Sequence, residues 1–338
     1  MTEQVFSGSS NKTPTVSVIL PAYNCPQYIR AGVESILTQS FKDFELIIID
    51  DGSTDSTPDI LKQINDPRIR FLTQTNRGLA ATLNRGIELA RGKYIARQDQ
   101  DDISLPERLS KQAAYLDSHP NCALVGTWAE IWEVDKRTER AHRHPSDDIT
   151  LKYDLLFNNP FVHSSVMLRK SALDHVGGYC TDPQRQPPED YELWSRIARD
   201  YEVANIPELL MIYREIPRSM SRTGVSPFLE HLVTICAENI ARASNTPAGD
   251  PHSVNIAALI HGAPHRIIGE PDFQSMHAIL QIAVKRVSQN DDRFLRHAQD
   301  WVEHLKHNYW RSKNPGAGRR LIYYVMRAKN RLSRILGN

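Results

Sequence analysis

The sequence predicts an α/β protein, in which a sheet is flanked by helices, with a helical extension at the C-terminal end. Two observations support this prediction. In the first hundred residues, short apolar runs alternate with segments of helical periodicity, as in strands joined by crossover helices. From about residue 226 onward the pattern is helical, with breaks at 246–251 and 262–271 that are marked by Gly and Pro.

The alternating elements can be placed one by one along the chain. Short apolar runs predict four strands, at 16–20, 45–49, 68–72 and 93–96. Apolar residues at helical spacing predict the helices between and after them, at 28–38, 57–64 and 79–90. Beyond residue 120 we predict further strands at 122–126, 131–134 and 166–168, and helices at 149–157 and 189–199.

Composition excludes several classes of protein. The 338 residues carry a net charge of +1, so the chain as a whole is not a polyanion binder. The four cysteines are widely spaced and form no CxxC pair, which disfavours a zinc site or disulfide framework and indicates a reducing compartment. The polar N-terminus lacks the apolar core of a signal peptide, and the apolar runs fall well short of about 20 residues. We therefore predict a cytoplasmic protein that is not integral to a membrane.

Polar clusters follow three of the predicted strands, at 21–24, 50–55 and 97–102. In open α/β sheets, ligands bind beyond the carboxyl ends of the strands. Asp99, Asp101 and Asp102 place three carboxylates within four residues, where they repel one another unless a cation compensates them. Hard oxygen ligands suit Mg²⁺ or Mn²⁺. The alternative is a solvated acidic turn, in which Asp102 or Ser104 caps the helix that starts near Pro106.

Two more acidic pairs are candidates for the same site. Asp50 and Asp51 directly follow three isoleucines, although Ser53 and Asp55 also have the chemistry of a helix cap. The pair at 189–190 opens a predicted helix far along the chain. It contains a candidate general base, with the alternative that acidic residues simply favour helix N-termini.

The ordered series of motifs resembles a family 2 glycosyltransferase, over about two thirds of the chain. The matching segments are VILPAYN (18–24), SILTQSF (35–41), ELIIIDDGSTD (45–55), NRG (76–78 and 84–86), ARGKYIA (90–96), DQDD (99–102), NPFVHSS (159–165), GGY (177–179) and EDYELW (189–194). The resemblance implies the GT-A fold, a Rossmann-like mixed sheet flanked by helices. It also implies an inverting enzyme of the bacterial cell-surface polysaccharide type.

The resemblance also implies a role for each of several individual residues. A nucleotide-sugar, with a UDP-sugar as the first candidate, donates its sugar to a hydroxyl of a glycan or lipid-linked acceptor. Mn²⁺ or Mg²⁺ is held by Asp101, with Asp99 at the ribose or in the metal shell. Asp190 is the catalytic base, and Glu189 and His163 position the acceptor or the diphosphate. The implied donor-binding residues are Pro21, Ala22, Tyr23, Asn24, Asp51, Asn76, Gly78, Asn84, Asp99 and Gln100.

His163 has an alternative reading, as a structural histidine at a strand start. One segment departs from the family pattern. Many members carry Tyr-Arg-x-His after the base, with a histidine that helps to bind the metal, whereas this chain has Ile216 in that place. Water and phosphate would then complete the metal shell, or metal would be dispensable. The main alternative function is a catalytically silent sugar-nucleotide-binding or scaffold subunit, which the intact Asp51, Asp101 and Asp190 disfavour. A nucleotidyltransferase or a Rossmann dehydrogenase is disfavoured because a Gly-rich loop does not follow the first strand.

Three regions are predicted: a flexible N-terminus at 1–14, a GT-A domain at 15–224 and a helical region at 225–338. The last 28 residues contain eight basic residues and no acid, interleaved with apolar ones. Such a basic amphipathic tail either lies on an anionic membrane surface, which makes the protein peripheral, or packs on the catalytic domain or on a second subunit of a homodimer. Nucleic acid is disfavoured as a partner because neither an aromatic platform nor a recognised motif is present. The eight residues are Arg311, Lys313, Arg319, Arg320, Arg327, Lys329, Arg331 and Arg334.

Overall fold

The computed structural model describes residues 3–5 as backbone, and residues 13–216 and 227–313. Its ten strands are β1 (Glu3–Val5), β2 (Val16–Ala22), β3 (Phe44–Asp50), β4 (Ile69–Thr73), β5 (Tyr94–Arg97), β6 (Ile103–Ser104), β7 (Cys122–Glu133), β8 (Lys136–His142), β9 (Met167–Arg169) and β10 (Glu202–Glu215). Its eleven helices within those ranges are α1 (Ile29–Leu37), α2 (Thr57–Lys62), α3 (Leu79–Leu89), α4 (Arg108–Ser118), α5 (Asp148–Asp154), α6 (Lys170–Val176), α7 (Glu189–Asp200), α8 (Phe228–Ser244), α9 (Pro251–Ile260), α10 (Phe273–Val287) and α11 (Asp292–Lys313).

One mixed sheet runs through the first part of the chain, in the order β1-β4-β3-β2-β5-β9-β7-β10-β6, with β8 paired to β7. Strands β4, β3, β2 and β5 are mutually parallel. Strand β9 is antiparallel to both β5 and β7, and it joins this half to the parallel pair of β7 and β10. The predicted fold class, a mixed sheet flanked by helices with a helical extension, is confirmed.

The central strands are buried along their whole length because helices cover both faces of the sheet. The two-residue period of the strands divides their side chains between two cores. Ile19 and Ile47 face the core that includes Leu83 of α3, whereas Val18 and Leu46 face the opposite core with α1 and α4. This sandwich fixes the carboxyl ends of β2, β3 and β5 at one edge of the molecule.

Strands β1, β6 and β8 were not predicted, and the two longest of the described strands also differ from the predictions. The predicted strands at 122–126 and 131–134 are one continuous strand, β7, because residues between them pair with β10. Strand β10 is absent from the prediction, because Pro207 and Glu208 interrupt its apolar pattern. In the structure, the register with β7 shifts between Ile206 and Leu209, so the irregularity accommodates the proline and the strand continues.

The predicted cap of the helix after Pro106 is wrong. Helix α4 begins at Arg108, and its N-cap residue Glu107 makes no side-chain capping hydrogen bond. Asp102 instead lies inside the fold, where its carboxylate accepts a hydrogen bond from the backbone N–H of Arg214 at 2.8 Å. A buried carboxylate gains more from such a donor than an exposed one, since it has lost its water.

The helical region has a core of its own, to which α8, α9, α10 and α11 all contribute. Tyr153 and Phe157, at α5 and just beyond it, belong to the same core and connect it to the sheet. In the described ranges, none of the helices is long and apolar enough to cross a membrane. Within the segment for which we predicted a flexible N-terminus, residues Glu3–Val5 pair antiparallel with β4. The predicted basic tail lies outside the described residues from residue 314 onward.

The four cysteines are free thiols. Cys25, Cys122 and Cys236 are buried, whereas Cys180 is half-buried in the segment between α6 and α7. Burial raises the pKa of both the Cys25 and the Cys122 thiols to about 12, and it raises the pKa of Cys236 as well. Three of the four thiols are therefore protonated and sequestered at neutral pH.

Candidate active site

A cavity of about 870 Å³ opens beyond the carboxyl ends of β2, β3 and β5. It brings together clusters that lie far apart in the sequence, because the sheet places the ends of these strands at one edge. The N-terminus of α7 forms part of its wall. The predicted site residues that line it are Pro21, Ala22, Tyr23, Asp51, Asn76, Gly78, Asp99, Gln100, Asp101, His163, Glu189 and Asp190.

Asp51 stands at one end of the cavity, and the loop after β4 fixes its carboxylate. Its Oδ1 accepts hydrogen bonds from the backbone N–H of Arg77 at 2.9 Å and from Gln74 Nε2 at 2.6 Å. Its Oδ2 accepts one from the backbone N–H of Gly78, also at 2.9 Å. The carboxylate is held in one orientation, and the second lone pair of Oδ2 stays available for a ligand donor.

Tyr23 lies at the opening of the cavity, at the same end as Asp51, and 45% of its surface is exposed. The side-chain amide of Gln100 bonds to its backbone in both directions, accepting from the N–H at 2.8 Å and donating to the carbonyl at 3.1 Å. The loops after β2 and β5 are therefore joined, and the ring of Tyr23 remains open to a partner.

Two predicted donor-binding residues, Asn24 and Asn84, are not among the described residues that line the cavity. Asn24 has φ of 45°, and its Oδ1 accepts from the backbone N–H of Thr54 at 2.9 Å. The side-chain amide of Asn84 makes two hydrogen bonds to the backbone of Tyr179. It donates to the carbonyl and accepts from the N–H, each at 2.8 Å. Each asparagine holds a neighbouring segment in place.

The acidic cluster after β5 divides into two parts. Asp102 also lines the cavity, but it is 1% exposed, and its carboxylate accepts from Ser164 Oγ and from the backbone N–H of Arg214. Asp99 and Asp101 face the cavity, and Asp99 pairs with Arg97 at 2.7 Å. Burial and the nearby Asp99 carboxylate raise the pKa of Asp101 to about 6. The structure therefore leaves two carboxylates available to a ligand, one of them short of compensating charge.

These two carboxylates fit a divalent cation that substrate helps to hold. Among the described residues, no group of three or more His, Cys, Asp or Glu side chains forms a metal site by protein ligands alone. Mg²⁺ and Mn²⁺ are commonly bound by one or two carboxylates together with phosphate oxygens and water. Ile216 also lines the cavity and offers no ligand atom. The repulsion that raises the pKa of Asp101 is the kind that a cation relieves.

Glu189 and Asp190 begin α7 on the opposite wall. Asp190 Oδ2 accepts a hydrogen bond from Asn159 Nδ2 at 2.7 Å, and its Oδ1 accepts one from the backbone N–H of Tyr191 at 2.7 Å. Burial raises the pKa of Asp190 above its ordinary value, while these two donors oppose the shift. Burial and the adjacent Asp190 raise the pKa of Glu189 as well. The pair can accept a proton close to neutral pH.

Arg97 is a site residue that sequence reasoning missed. It is 1% exposed and lies between the acidic cluster after β5 and the pair on α7. Its Nε and Nη1 have no hydrogen-bond partner among the described residues. Its charge lowers the pKa of Asp101, Glu189 and Asp190, although burial outweighs that effect. The available signal was a charged residue at the end of a strand, two positions before the first of three acids.

His163 lies in the wall beside the pair on α7. Its Nε2 is 3.0 Å from Tyr179 Oη, and its Nδ1 is 3.9 Å from a carboxylate oxygen of Glu189. Burial, together with the charge of Arg97, lowers the pKa of the imidazole well below its ordinary value. His163 is therefore neutral at pH 7, and it can position a group by hydrogen bonding without adding charge.

Comparisons with known proteins identify the family of the chain. Residues 17–177 match the family model described as glycosyl transferase family 2. The chain is 37% identical over 232 residues to a glycosyltransferase of Bacillus subtilis named EpsE, covering 67% of this chain and 82% of EpsE. It is 33% identical over 208 residues to the amylovoran biosynthesis glycosyltransferase AmsE of Erwinia amylovora, covering 59% of this chain and 75% of AmsE.

The fold has counterparts among solved structures. S. aureus TarS 1–349, crystallised in complex with UDP-GlcNAc, superposes with a TM-score of 0.60 at 19% identity, covering 90% of this chain and 93% of that one. At that identity the likeness shows the fold, which is the GT-A arrangement. The sequence match to EpsE, which extends along four fifths of that relative, shows the family as well as the fold. The chain is a glycosyltransferase enzyme and belongs to glycosyltransferase family 2.

Proposed function

We propose that this enzyme transfers a sugar from a nucleotide-sugar, with a UDP-sugar as the first candidate, to a hydroxyl of a glycan or lipid-linked acceptor, with inversion, in cell-surface polysaccharide synthesis. The observation that carries the proposal is a single cavity that unites Asp51, the carboxylates of Asp99 and Asp101, and the acidic pair on α7. Relatives are named for amylovoran and O-antigen biosynthesis. TarS structures with UDP-GlcNAc and UDP support the choice of donor.

The nucleotide would occupy the end of the cavity with Tyr23 and Asp51. The exposed ring of Tyr23 offers a face on which a base can stack, a contact that typically contributes about 1–3 kcal/mol. Asp51 would accept from an N–H of the base, since its carboxylate is already oriented by Arg77 and Gly78. Asp99 would contact the ribose or the metal shell.

Asp101, together with Asp99, would hold Mn²⁺ or Mg²⁺. A mannosyltransferase of the same fold, PcManGT from Pyrobaculum calidifontis, was crystallised with GDP-Man and Mn²⁺, and it superposes with a TM-score of 0.51 at 17% identity. When bound, such a cation supplies positive charge to the phosphates of the leaving group. Ile216 leaves the remaining coordination to phosphate and water.

Asp190 would act as the general base. Its carboxylate accepts the proton of the acceptor hydroxyl while that oxygen attacks the anomeric carbon. Asn159 and the backbone of Tyr191 orient the carboxylate for this step. Glu189 and His163, which lie beside it, would position the acceptor or the diphosphate. With a single base, attack opposite the leaving group inverts the anomeric centre.

Asp190→Asn tests this assignment. The variant keeps the size of the side chain but cannot accept a proton, so turnover should fall by about 10²- to 10⁴-fold. Binding of UDP-sugar, measured by calorimetry, should survive. Asp174→Asn, on the exposed surface of α6, is the matched control and should leave turnover unchanged. Near wild-type turnover of the Asp190 variant would show that another residue is the general base, and Glu189 would be tested first.

Ile216 motivates a second candidate function, a catalytically silent subunit that binds sugar nucleotides. The discriminating measurement is the release of UDP from UDP-sugars by purified protein in the presence of Mn²⁺. Saturable donor binding without release of the corresponding nucleoside diphosphate, across a panel of UDP-, dTDP- and GDP-sugars, would favour the silent subunit over the enzyme.

The location of the protein forms part of the proposal. We propose a cytoplasmic enzyme, with the tail at 311–338 either on the anionic inner face of a membrane or in a homodimer contact. Flotation of the full chain with anionic liposomes should weaken as salt rises, since surface charges are screened over about 8–10 Å. Loss of flotation after removal of 311–338 supports the membrane surface. Aggregation of the shortened chain supports a contact within the fold or the dimer.

A further inference from the structure

A second cavity, of about 570 Å³, lies between α5, α7, α8 and α10. Of the described residues, none lines both this cavity and the active site. Helix α7 connects the two, because Asp190 stands at its first turn and Arg199 at its last. The 12 residues of α7 span about 18 Å. The second cavity is therefore a separate place at the junction of the sheet and the helical region.

Positive charge dominates the lining of this cavity. Lys152 and Arg196 are compensated, by Asp148 at 2.9 Å and by Glu192 at 2.8 Å. Three arginines in the lining have no carboxylate within 4.0 Å among the residues that the structure describes; they are Arg199, Arg242 and Arg286. Asp200 is the acidic residue of the lining, and it faces His175 at 3.8 Å. The cavity therefore has, on three different helices, an exposed arginine that forms no ion pair with the described residues.

Helix dipoles offer an alternative explanation for these arginines. Each stands in the last turn of its helix, where a cation is favourable. Arg286 indeed donates to the backbone carbonyl of Arg242 at 3.1 Å. That explanation accounts for each arginine alone, but not for the meeting of three cations around one cavity. Desolvation and the charges of Arg242 and Arg196 lower the pKa of Arg199, as expected of guanidinium groups that repel one another, and they outweigh the opposing charges of Glu192 and Glu238.

We propose that this cavity binds an anionic small molecule through a phosphate group. A guanidinium presents paired N–H donors that match phosphate oxygens, which makes arginine the preferred residue for phosphate recognition. The volume falls within the range of small-molecule sites, about 300–1,000 Å³. Apolar side chains of Leu155, Ala243 and Val287 line the remainder and provide a surface for the body of the ligand. A bound phosphate would link the last turns of α7, α8 and α10.

The test is calorimetric titration of the full chain in EDTA, without divalent metal, so that metal-dependent binding at the active site is suppressed. Inorganic diphosphate and glucose 1-phosphate serve as separate probes, which distinguish free phosphate from a phosphorylated sugar. We expect saturable, one-to-one binding of at least one probe. Arg199→Gln and Arg242→Gln should each weaken that binding by about tenfold, because each removes a charge-assisted contact.

Lys285→Gln is the matched control. Lys285 is exposed in the same last turn as Arg286 and carries the same charge, but it does not line the cavity. Its variant should change the affinity by less than about twofold, because distant surface charges are screened. Hydrogen exchange with the probe bound should protect the last turns of α7, α8 and α10. Circular dichroism of each variant checks the fold, and Arg286→Gln replaces any variant that fails to fold.

Three results would overturn the proposal. If neither probe shows saturable binding, the proposed site does not exist. Equal weakening by Lys285→Gln and Arg242→Gln would show general charge attraction rather than a site. Displacement of the probe by UDP, without an effect of the arginine variants, would place the phosphate in the active site.

Discussion

Asn159→Ala is the most direct test of how the site controls its base. Asn159 Nδ2 donates to Asp190 Oδ2 at 2.7 Å, and it is the side chain that hydrogen-bonds this carboxylate, while the backbone N–H groups of Tyr191 and of Asp190 itself supply further donors. Asp190 must be ionised to accept a proton, and burial already raises its pKa to about 6. Removing the Asn159 amide withdraws a donor that stabilises the ionised form. The pKa of Asp190 should therefore rise further.

The size of the shift follows from the strength of the lost contact. A hydrogen bond to a charged group contributes about 1.5–3 kcal/mol. At about 1.36 kcal/mol per pKa unit, this amounts to about 1–2 units. The acid limb of the pH profile should then move from about pH 6 to about pH 7–8. At pH 7 the ionised fraction falls about twofold to tenfold, whereas at pH 9 most of the activity should return.

The assay is kcat/KM for sugar transfer, measured from pH 5 to pH 9. Asn121→Ala, at an exposed position that does not line the cavity, is the control whose acid limb should stay in place. Asn159 Oδ1 also accepts from the backbone of Phe161 at 3.1 Å, so thermal unfolding of the variant separates a stability defect from a pKa effect. A uniform loss of rate at every pH, with the acid limb unmoved, would refute the assignment of Asp190 as the ionising base.

Three further predictions concern the metal, the buried cation and the fold. Asp101→Ala should abolish transfer and weaken Mn²⁺-dependent binding of UDP; unchanged affinity in calorimetry would contradict its role as a ligand. Arg97→Met should reduce transfer more at pH 6 than at pH 8, because loss of its charge raises the pKa of Asp190; Arg97→Lys should preserve the pH profile, and equal losses at both pH values would argue against the electrostatic role. Gly92→Ala places a Cβ 2.5 Å from the backbone nitrogen of Ser17. This clash should lower the free energy of unfolding by about 1–3 kcal/mol, measured by thermal denaturation. An unchanged Tm would show that the backbone at the start of β2 and β5 can move to relieve the clash.

The sequence predicts best where the local pattern and the tertiary environment agree. Strands β2 and β3 are apolar throughout because helices cover both of their faces, so their pattern and burial coincide. Strand β10 escaped prediction because its neighbour β7, rather than its own pattern, keeps it extended past Pro207. Local propensity carries no information about that pairing.

In the site, too, the sequence predicts what local patterns determine and not what distant contacts determine. Asp51, Asp101 and Asp190, which the structure brings to one cavity, could be predicted to lie together because each is in a motif at the end of a strand or the start of a helix. The inward orientation of Asp102 could not, since it depends on Arg214, a residue more than a hundred positions away. Asn159 was recognised only as part of a motif, and its contact with Asp190 emerges from the packing of a loop against α7.

The burial of three cysteines makes Cys180 a natural attachment point for a spectroscopic reporter. A thiol with a pKa of about 12 is ionised in only about one molecule in 10⁵ at pH 7, so Cys25 and Cys122 should not react with maleimides, and Cys236 is fully enclosed. Cys180 is more accessible and follows Tyr179, whose hydroxyl contacts His163 in the wall of the active site. A fluorophore attached to Cys180 would therefore sit next to Tyr179, which contacts a residue of the cavity wall, and could report occupancy without any engineered mutation.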